Sequence, residues 1–488
     1  MLRSKLAPRG SLGPTAMLSS MALVEVASGA TQQYLPPILP ALGAQVGITT
    51  AQQNWIVVVQ MAGCAVLTPV LSRLGDGFGY RRVLRVSIGM VVLGSLLMAL
   101  RPTLGFLTIG ALLQGGVVGF MPLMIGILRH QLGDAASRRG IGVLVGALLL
   151  AVGCAGIASG AVGAHDARSG LWIGVGAGVL GAAAGFLLPD AAAPPAAARS
   201  FDLRGFLLLT AGLVGVVLAL AQGAAWGWTS AATLGCGLLG IAGLAGWWAL
   251  ELRVVRPLVD VRMFRNPRVA VLSVVTFCVA AATIGSIAFN ATFLGASPHD
   301  VGYGTGLRAG AIGWALLPMT LSSVLTSALS PALLRACGER ATVAAAGVAT
   351  LIGFGGLVAV HDSLAAYLVA SLFIGAALGL FESVTRTLTV EAVAKEETAS
   401  AAGINELVLS LGAAVGAAVL GAALGAHTAA DGRVGLGGYT TGWALCAVAG
   451  LAAAAVALRL RPATAAPPAG PEARPATPTH SAHPAKEH

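Results

Sequence analysis

The stretch LGDGFGYRRV (residues 74–83) is short and polar, and it lies between two long apolar stretches, 54–73 and 83–101. An apolar stretch of about 20 residues is long enough to cross a bilayer as a helix. Three glycines in the polar stretch permit the tight backbone turn that a helical hairpin needs. We therefore expect two membrane-spanning helices joined by a tight basic loop. Asp76, in this loop, can cap the next helix or pair with an arginine.

The composition of the whole chain agrees with a membrane protein. Its 488 residues are 56% hydrophobic and only 10% charged, and the mean hydropathy is +0.85. Soluble domains carry about 25% charged residues, so this chain lacks the polar surface that water requires. The six cysteines are scattered singly, which argues against a metal site or a disulfide framework. We expect neither a metal nor another cofactor.

Further apolar stretches extend the pattern to about fourteen spans. The predicted spans are 16–40, 54–73, 83–101, 104–128, 140–163, 169–188, 203–222, 231–250, 269–293, 310–334, 341–360, 364–388, 399–425 and 438–459.

Loop charge supports this threading. With the N-terminus in the cytoplasm, the outside loops hold only Arg101, Arg168, Arg308 and Arg433, and most other Arg and Lys residues fall inside. This asymmetry is the positive-inside pattern of bacterial inner-membrane proteins. It predicts a multi-pass protein of the cell (inner) membrane with both termini cytoplasmic. The net charge of +10 is explained by these loops, so we expect no nucleic-acid partner.

The loop at residues 74–83 resembles the signature loop of the major facilitator superfamily, Gly-x-Leu-x-Asp-Arg-x-Gly-x-Arg-Arg, which joins the second and third spans. Ser72 and Gly77 depart from that pattern. The matching positions are Asp76, Gly79, Arg81 and Arg82. The resemblance implies that these four residues act in the switch between inward-open and outward-open states. The alternative is an ordinary basic loop.

A second run is similar to the fourteen-span drug:proton antiporter branch of that superfamily. It extends from Phe201 to Pro267 and includes the pair Trp226 and Trp228, followed by the segment 263–267 (MFRNP). The resemblance implies that two extra helices stand between two six-helix bundles. Trp residues also serve as anchors at the membrane surface.

The expected fold is therefore all-α: a major facilitator fold of two six-helix bundles, related by a pseudo-two-fold axis, with two extra linking helices. The predicted segments are a cytoplasmic N-terminus (1–15), an N-terminal bundle (16–188), a linker (189–202), the extra helices (203–250), a cytoplasmic loop (251–268), a C-terminal bundle (269–460) and a disordered cytoplasmic tail (461–488).

The chain departs from the antiporter pattern where that branch usually carries its coupling residues. Ala27 stands at the usual first-span Asp, and Ala111 stands at the usual fourth-span Arg. In the second copy of the signature loop, Arg335 stands where Asp would be, while Gly338 and Arg340 match. The chain therefore lacks the residues that this branch usually uses for proton coupling.

Three acidic residues lie inside predicted spans, namely Glu25, Glu382 and Glu406. A carboxylate at membrane depth must face a cavity or a partner, or be protonated. All three are candidates for proton coupling, with helix-packing contacts as the alternative. Arg386 lies four residues after Glu382, which favours a local ion pair.

Other polar residues in the spans are candidates for lining a substrate cavity, although each could equally make a packing hydrogen bond. Gln32 shares a helix face with Glu25, about 10 Å away by helix rise. The full set of cavity candidates is Gln32, Gln33, Tyr34, Gln114 and Asn290.

The predicted function is secondary export of small, largely apolar or amphiphilic compounds, such as a drug or a secondary metabolite. It would use proton antiport and alternating access, in a monomer embedded in the lipid bilayer. An importer or a dedicated metabolite exporter on the same fold is one alternative. A membrane-embedded enzyme or a non-transporting sensor is another. No nucleotide-binding loop and no nucleophile constellation is apparent, so we expect no enzyme activity.

Overall fold

The computed structural model describes residues 13–48, 50–163, 166–188, 202–254, 257, 260–307, 309–394, 397–427 and 434–460. The tail predicted at 461–488 lies outside the described residues, as do nearly all of the predicted N-terminus and linker. Within the described residues the secondary structure is helical, with turns and no extended strand. The all-α prediction is confirmed.

In the N-terminal half, the described residues form eight helices and one 3-10 turn. They are α1 Pro14–Gln33, α2 Leu35–Val46, α3 Thr50–Phe78, α4 Tyr80–Leu100, α5 Leu104–Gln114, the 3-10 turn Gly115–Gly119, α6 Phe120–Gln131, α7 Asp134–Gly163 and α8 Ala167–Leu187.

The rest of the chain contains the following helices. They are α9 Leu203–Trp226, α10 Ala231–Glu251, a 3-10 turn Val261–Arg265, α11 Pro267–Thr283, α12 Ile287–Gly295, α13 Pro298–Val301, α14 Ala309–Ala315, α15 Leu317–Ala359, α16 Leu364–Glu391, α17 Thr398–Ala426 and α18 Leu436–Ala457.

Several spans are broken at identifiable residues. The first predicted span divides into α1 and α2 at Tyr34, just before Pro36 and Pro37, which cannot donate backbone hydrogen bonds. Helix α15 is bent at Gly338, whose φ of 79° is accessible to glycine at little cost. Gly79, between α3 and α4, has a φ of 100°. Each half of the chain therefore turns at a glycine with a positive φ, and the two glycines occupy matching positions.

Eleven helices among the described residues are long and apolar enough to cross a membrane. One of them, Ala311–Ala359, has 49 residues and contains the Gly338 bend. At 1.5 Å per residue it is more than twice as long as the roughly 30 Å hydrocarbon core, so it accounts for two predicted spans. The shorter apolar helix Leu203–Ala219 and the broken pair α1 and α2 account for two more. The helices are therefore consistent with the predicted fourteen crossings.

The helices pack as two bundles. Helix α1 packs on α7 and α8 in the first bundle, and α15 packs on α16 and α18 in the second. The bundles meet where α7 contacts α15 and where α17 contacts α3 and α6. Helices α9 and α10 pair with each other, and α9 also touches α3 and α17. The extra pair thus lies against both bundles.

Close helix contacts in the second bundle depend on glycine. A Cβ atom at Gly379 of α16 would overlap the backbone carbonyl oxygen of Ser323 on α15. Small residues allow membrane helices to approach so closely that backbone atoms touch. Gly356, near the end of α15, has open space where a Cβ would stand.

We predict that Gly379→Ala destabilises the purified protein by about 1–3 kcal/mol, because α15 and α16 must separate to admit the methyl group. Thermal unfolding in detergent measures the effect. The matched control Gly356→Ala should unfold at or above the wild-type temperature, since Ala favours helix. Equal melting temperatures for the two variants would contradict this packing.

Candidate functional site

A buried ionic cluster joins α16 and α17. The Arg386 guanidinium makes two bonds to the Glu406 carboxylate, of 2.5 and 3.1 Å, and one of 2.9 Å to Glu382. The three residues are between 2% and 9% exposed. The predicted ion pair between Glu382 and Arg386 is confirmed, and Glu406 is its third member. Such bidentate, charge-assisted bonds are the strong kind, and they fix the two helices relative to each other.

Glu25 of α1 lies across the boundary between the bundles from this cluster. Its side chain is fully buried, and Arg386, Glu406 and Glu382 all act on it electrostatically. Ser28 lies beside the carboxylate, but neither oxygen of Glu25 makes a hydrogen bond of normal geometry within the described part of the chain. The three glutamates are distant in the sequence, and the structure places Glu25 within electrostatic range of the other two and of Arg386.

The cluster contains more negative than positive groups. Three carboxylates lie within electrostatic range of Arg386, but all donor nitrogens of Arg386 point to Glu382 or Glu406. Burying an ionised carboxylate without a partner is costly. Glu25 is therefore the member of the cluster that is left to accept a proton or a cationic group.

Two exposed or partly exposed amide side chains lie on α1 beyond Glu25. Gln32 lies two turns further along the same helix face, is exposed, and donates a 3.1 Å hydrogen bond to Ser28 Oγ. Gln33, next to it, is partly exposed and lies beside Gly156 of α7. The exposed end of this face is remote from the signature loop.

Gln114 and Tyr34 belong to a buried network inside the first bundle. The Gln114 amide donates to Tyr34 at 2.7 Å and to Ser95 at 2.9 Å, and its oxygen accepts a 3.3 Å bond from Gln60. Both candidates are fully buried. The network ties the α1–α2 break to α3, α4 and α5, which gives it a clear structural role.

Asn290 lies apart from the glutamates, in an aromatic cluster of the second bundle. Its amide oxygen accepts a 3.0 Å bond from the Trp443 indole, and its nitrogen donates to Ser286. Phe289, Phe293 and Tyr439 pack around the same indole. Asn290 is 4% exposed, and its hydrogen-bond partners lie within its own bundle.

Asp76 of the signature loop binds the other bundle. Its carboxylate accepts hydrogen bonds from the backbone amides of Ala399 at 3.2 Å and Ser400 at 2.8 Å, and from the Ser400 hydroxyl. It also accepts a 2.9 Å bond from Tyr80. The first amides of a helix lack partners within the helix and carry partial positive charge. Asp76 therefore caps α17 from the end of α3.

Two arginines of the first bundle strengthen this closure. Arg129, at the end of α6, binds the Val390 carbonyl oxygen and the Thr398 hydroxyl, the latter at 3.0 Å. Arg138, at the start of α7, makes a bidentate pair with Glu391 at 2.7 and 2.8 Å. We call the contacts of Asp76, Arg129 and Arg138 with the second bundle the gate. Arg129 and Arg138 are not recognisable as gate residues from the sequence, because their partners are distant in sequence.

The other matched loop residues have local roles. The positive φ of Gly79 makes the turn between α3 and α4. Arg81 donates a 3.1 Å bond to the Phe186 carbonyl oxygen at the end of α8, and Arg82 is exposed. The two bundles are thus held together at the signature-loop end, while the exposed Gln32 lies toward the other end.

These features describe a membrane protein with two helical bundles, a buried ionic site between them and a gate at one end. The sequence model of the Major Facilitator Superfamily matches residues 21–305 and 272–486. The chain belongs to this superfamily.

Curated relatives agree. An uncharacterised transporter of this superfamily from Mycobacterium tuberculosis is 28% identical over 363 residues, which cover 72% of this chain and 50% of that protein. The tetracenomycin C resistance and export protein of Streptomyces glaucescens is 26% identical over 300 residues, covering 60% and 55%. The chain thus spans about half the length of these relatives.

Solved structures share the fold. The human organic anion transporter MFSD10 matches with a TM-score of 0.64 at 13% identity, covering 91% of this chain and 100% of that one. The proton:xylose symporter XylE matches with a TM-score of 0.61 at 12% identity, covering 90% and 94%.

We predict that Asp76→Ala weakens the gate, because each uncapped buried amide costs about 1–3 kcal/mol when the bundles close. Spin labels at the exposed positions Phe78 and Glu397, in a cysteine-free background, would report the separation of α3 and α17. The distance distribution should shift to longer values. The control Asp362→Ala removes an exposed carboxylate between α15 and α16 and should leave the distribution unchanged. No shift in Asp76→Ala would mean that the cap does not hold the gate.

We predict that Arg386→Met destabilises the protein by about 3–5 kcal/mol, because it leaves Glu382 and Glu406 buried without a cation. Combining it with Glu382→Met and Glu406→Met should recover most of the loss, since an apolar cluster of similar volume carries no desolvation cost. Expression and thermal unfolding in detergent measure both variants. A single variant as stable as wild type would contradict the pairing.

Proposed function

We propose that this chain is a secondary active exporter of small, largely apolar or amphiphilic compounds, driven by proton antiport. The observation that carries the proposal is the position of Glu25. It is a fully buried carboxylate without a normal hydrogen bond, and it lies across the bundle boundary from Arg386, Glu382 and Glu406. A group in this position changes the attraction between the bundles when it gains or loses a proton.

The proton step follows from charge balance. With Glu25 protonated, Arg386 is shared by two ionised carboxylates of its own bundle. With Glu25 ionised, a third carboxylate competes for that cation and repels the other two. The buried medium makes each of these interactions stronger than in water. Release of the proton from Glu25 therefore favours separation of the two bundles at the depth of Glu25, or the entry of a cationic group there.

The cluster and the gate share two helices. Glu406 lies about two turns along α17 from Ala399 and Ser400, the residues that Asp76 caps. Arg386 lies on α16 about one turn before Val390 and Glu391, which bind Arg129 and Arg138. A movement of α16 and α17 caused by the charge on Glu25 would be carried to the gate by rigid helices. The gate would then open as the bundles rock, which is alternating access.

The direction and the substrate class rest on the relatives. The names of two of them describe tetracenomycin C resistance and export and actinorhodin transport. The α1 face between Glu25 and Gln32 offers a carboxylate and an amide to a largely apolar ligand. We propose that compounds of this kind bind there, with Gln32 and Gln33 as the first polar contacts.

We predict that Glu25→Gln abolishes proton-driven export, because the amide keeps the volume but cannot exchange a proton. Everted membrane vesicles with an acidic interior, given a fluorescent amphiphile on the outside, measure export as accumulation of the amphiphile in the vesicles. Glu251→Gln is the matched control: Glu251 is a fully buried glutamate of α10 and lies outside the cluster. It should transport at the wild-type rate.

The outcomes separate the candidate functions. Wild-type transport by Glu25→Gln would remove Glu25 from the mechanism. Movement of substrate with the protons in wild type would show an importer. No transport by wild-type protein under any gradient, with intact folding, would favour the sensor.

A further inference from the structure

A basic patch lies at the start of α4, outside the gate and the ionic cluster. Arg81 and Arg85 both donate to the Phe186 carbonyl oxygen, at 3.1 and 3.3 Å, and Arg82 beside them is exposed. The Arg85 guanidinium also lies 4.7 Å above the Phe186 ring. Within the part of the chain that the structure describes, no carboxylate lies within ion-pair distance of Arg82 or Arg85. The patch therefore retains positive charge at the end of two membrane-spanning helices.

Exposed apolar side chains continue from this patch along both helices. On α4, Val86 is 61% exposed and Leu93 is 51% exposed; on α8, Val179 is 56% exposed and Phe186 is 62% exposed. Val86 and Leu93 follow Arg82 at helical spacing, so Arg82 stands at the end of the outward face of α4. In a membrane this face lies against lipid.

Helices α4 and α8 pack side by side, and two packed helices leave a shallow groove between their outward faces. Gly89, one turn beyond Arg85, has no atom within 4 Å of the place where a Cβ would stand. On α8, Ala183 is a small exposed residue one turn before Phe186. The helices themselves are in close contact, since a Cβ at Gly185 would lie 2.7 Å from Ile88. We call the surface between these helices, from Arg82 to Leu93 on α4 and from Val179 to Phe186 on α8, the α4–α8 groove.

We propose that the α4–α8 groove binds an anionic phospholipid, with its phosphate at Arg82 and Arg85 and an acyl chain over Gly89 and Ala183. Basic side chains at the membrane surface attract anionic head groups. A planar guanidinium can make two parallel hydrogen bonds to a phosphate. The single carbonyl oxygen of Phe186, which Arg81 and Arg85 share, matches that geometry less well. The small residues leave room for a chain directly below the head group. Because Arg82 belongs to the signature loop, the lipid would contact the segment that joins α3 to α4.

Native mass spectrometry of delipidated protein tests this proposal. Phosphatidylglycerol and phosphatidylcholine with identical chains are titrated in parallel. Wild type should retain one phosphatidylglycerol in preference to phosphatidylcholine. The double variant Arg82→Gln/Arg85→Gln should lose this preference by about thirtyfold, since each arginine near an anionic surface contributes roughly fivefold. Gly89→Leu should weaken binding of both lipids, because it fills the floor of the groove and leaves the arginines in place.

Helix α10 offers matched controls with the same spacing. Arg253 is exposed at its end, and Gly246, seven residues earlier, is exposed with open space around it. Arg253→Gln and Gly246→Leu should leave the lipid preference unchanged. Equal retention of the two lipids by wild type would overturn the proposal, as would an unchanged preference in Arg82→Gln/Arg85→Gln. Displacement of the lipid by soluble glycerol 3-phosphate would also overturn it, since that would mean a phosphate site without a chain groove.

Discussion

The pairing of one buried arginine with two carboxylates organises the centre of this protein. A charge at membrane depth is tolerated only when it is paired or solvated. Arg386 meets this condition by using all of its donors on Glu382 and Glu406. This fixes α16 against α17, and it sets the electrostatic environment of Glu25 on the opposite bundle. The gate is formed by the ends of the same two helices.

Much of the fold follows from local sequence properties. The length of each apolar stretch predicts the spans. The breaks occur at the prolines after Tyr34, which restrict φ and lack a backbone N–H, and at Gly79 and Gly338, which can adopt a positive φ. The convergence of Glu25 with Glu382 and Glu406 is different. Each glutamate is recognisable alone as a costly buried acid, but their meeting depends on how two bundles dock, and no local pattern encodes that.

The polar candidates show why single residues are harder to interpret than spans. Gln114 and Asn290 are both amides in apolar helices, yet each has its hydrogen bonds satisfied within its own bundle. Gln32 is also an amide, and it is exposed two turns along α1 from Glu25. The residue type is the same, and only the helix face and its neighbours distinguish a packing contact from an open one. A superfamily resemblance places the helices but does not determine these faces.

The two halves of the gate differ in their physical basis. In the first half, Asp76 binds backbone amides of α17 and is buried. In the second half Arg335 occupies the matching position, and Glu339 next to the Gly338 bend lies 3.9 Å from Arg138, which pairs mainly with Glu391. The buried bonds of Asp76 to backbone amides are shielded from solvent, whereas a partly exposed ion pair is weakened by salt and by water. The gate therefore combines the buried Asp76 cap with the partly exposed ion pair of Arg138 and Glu391. Solvent can loosen the ion pair first.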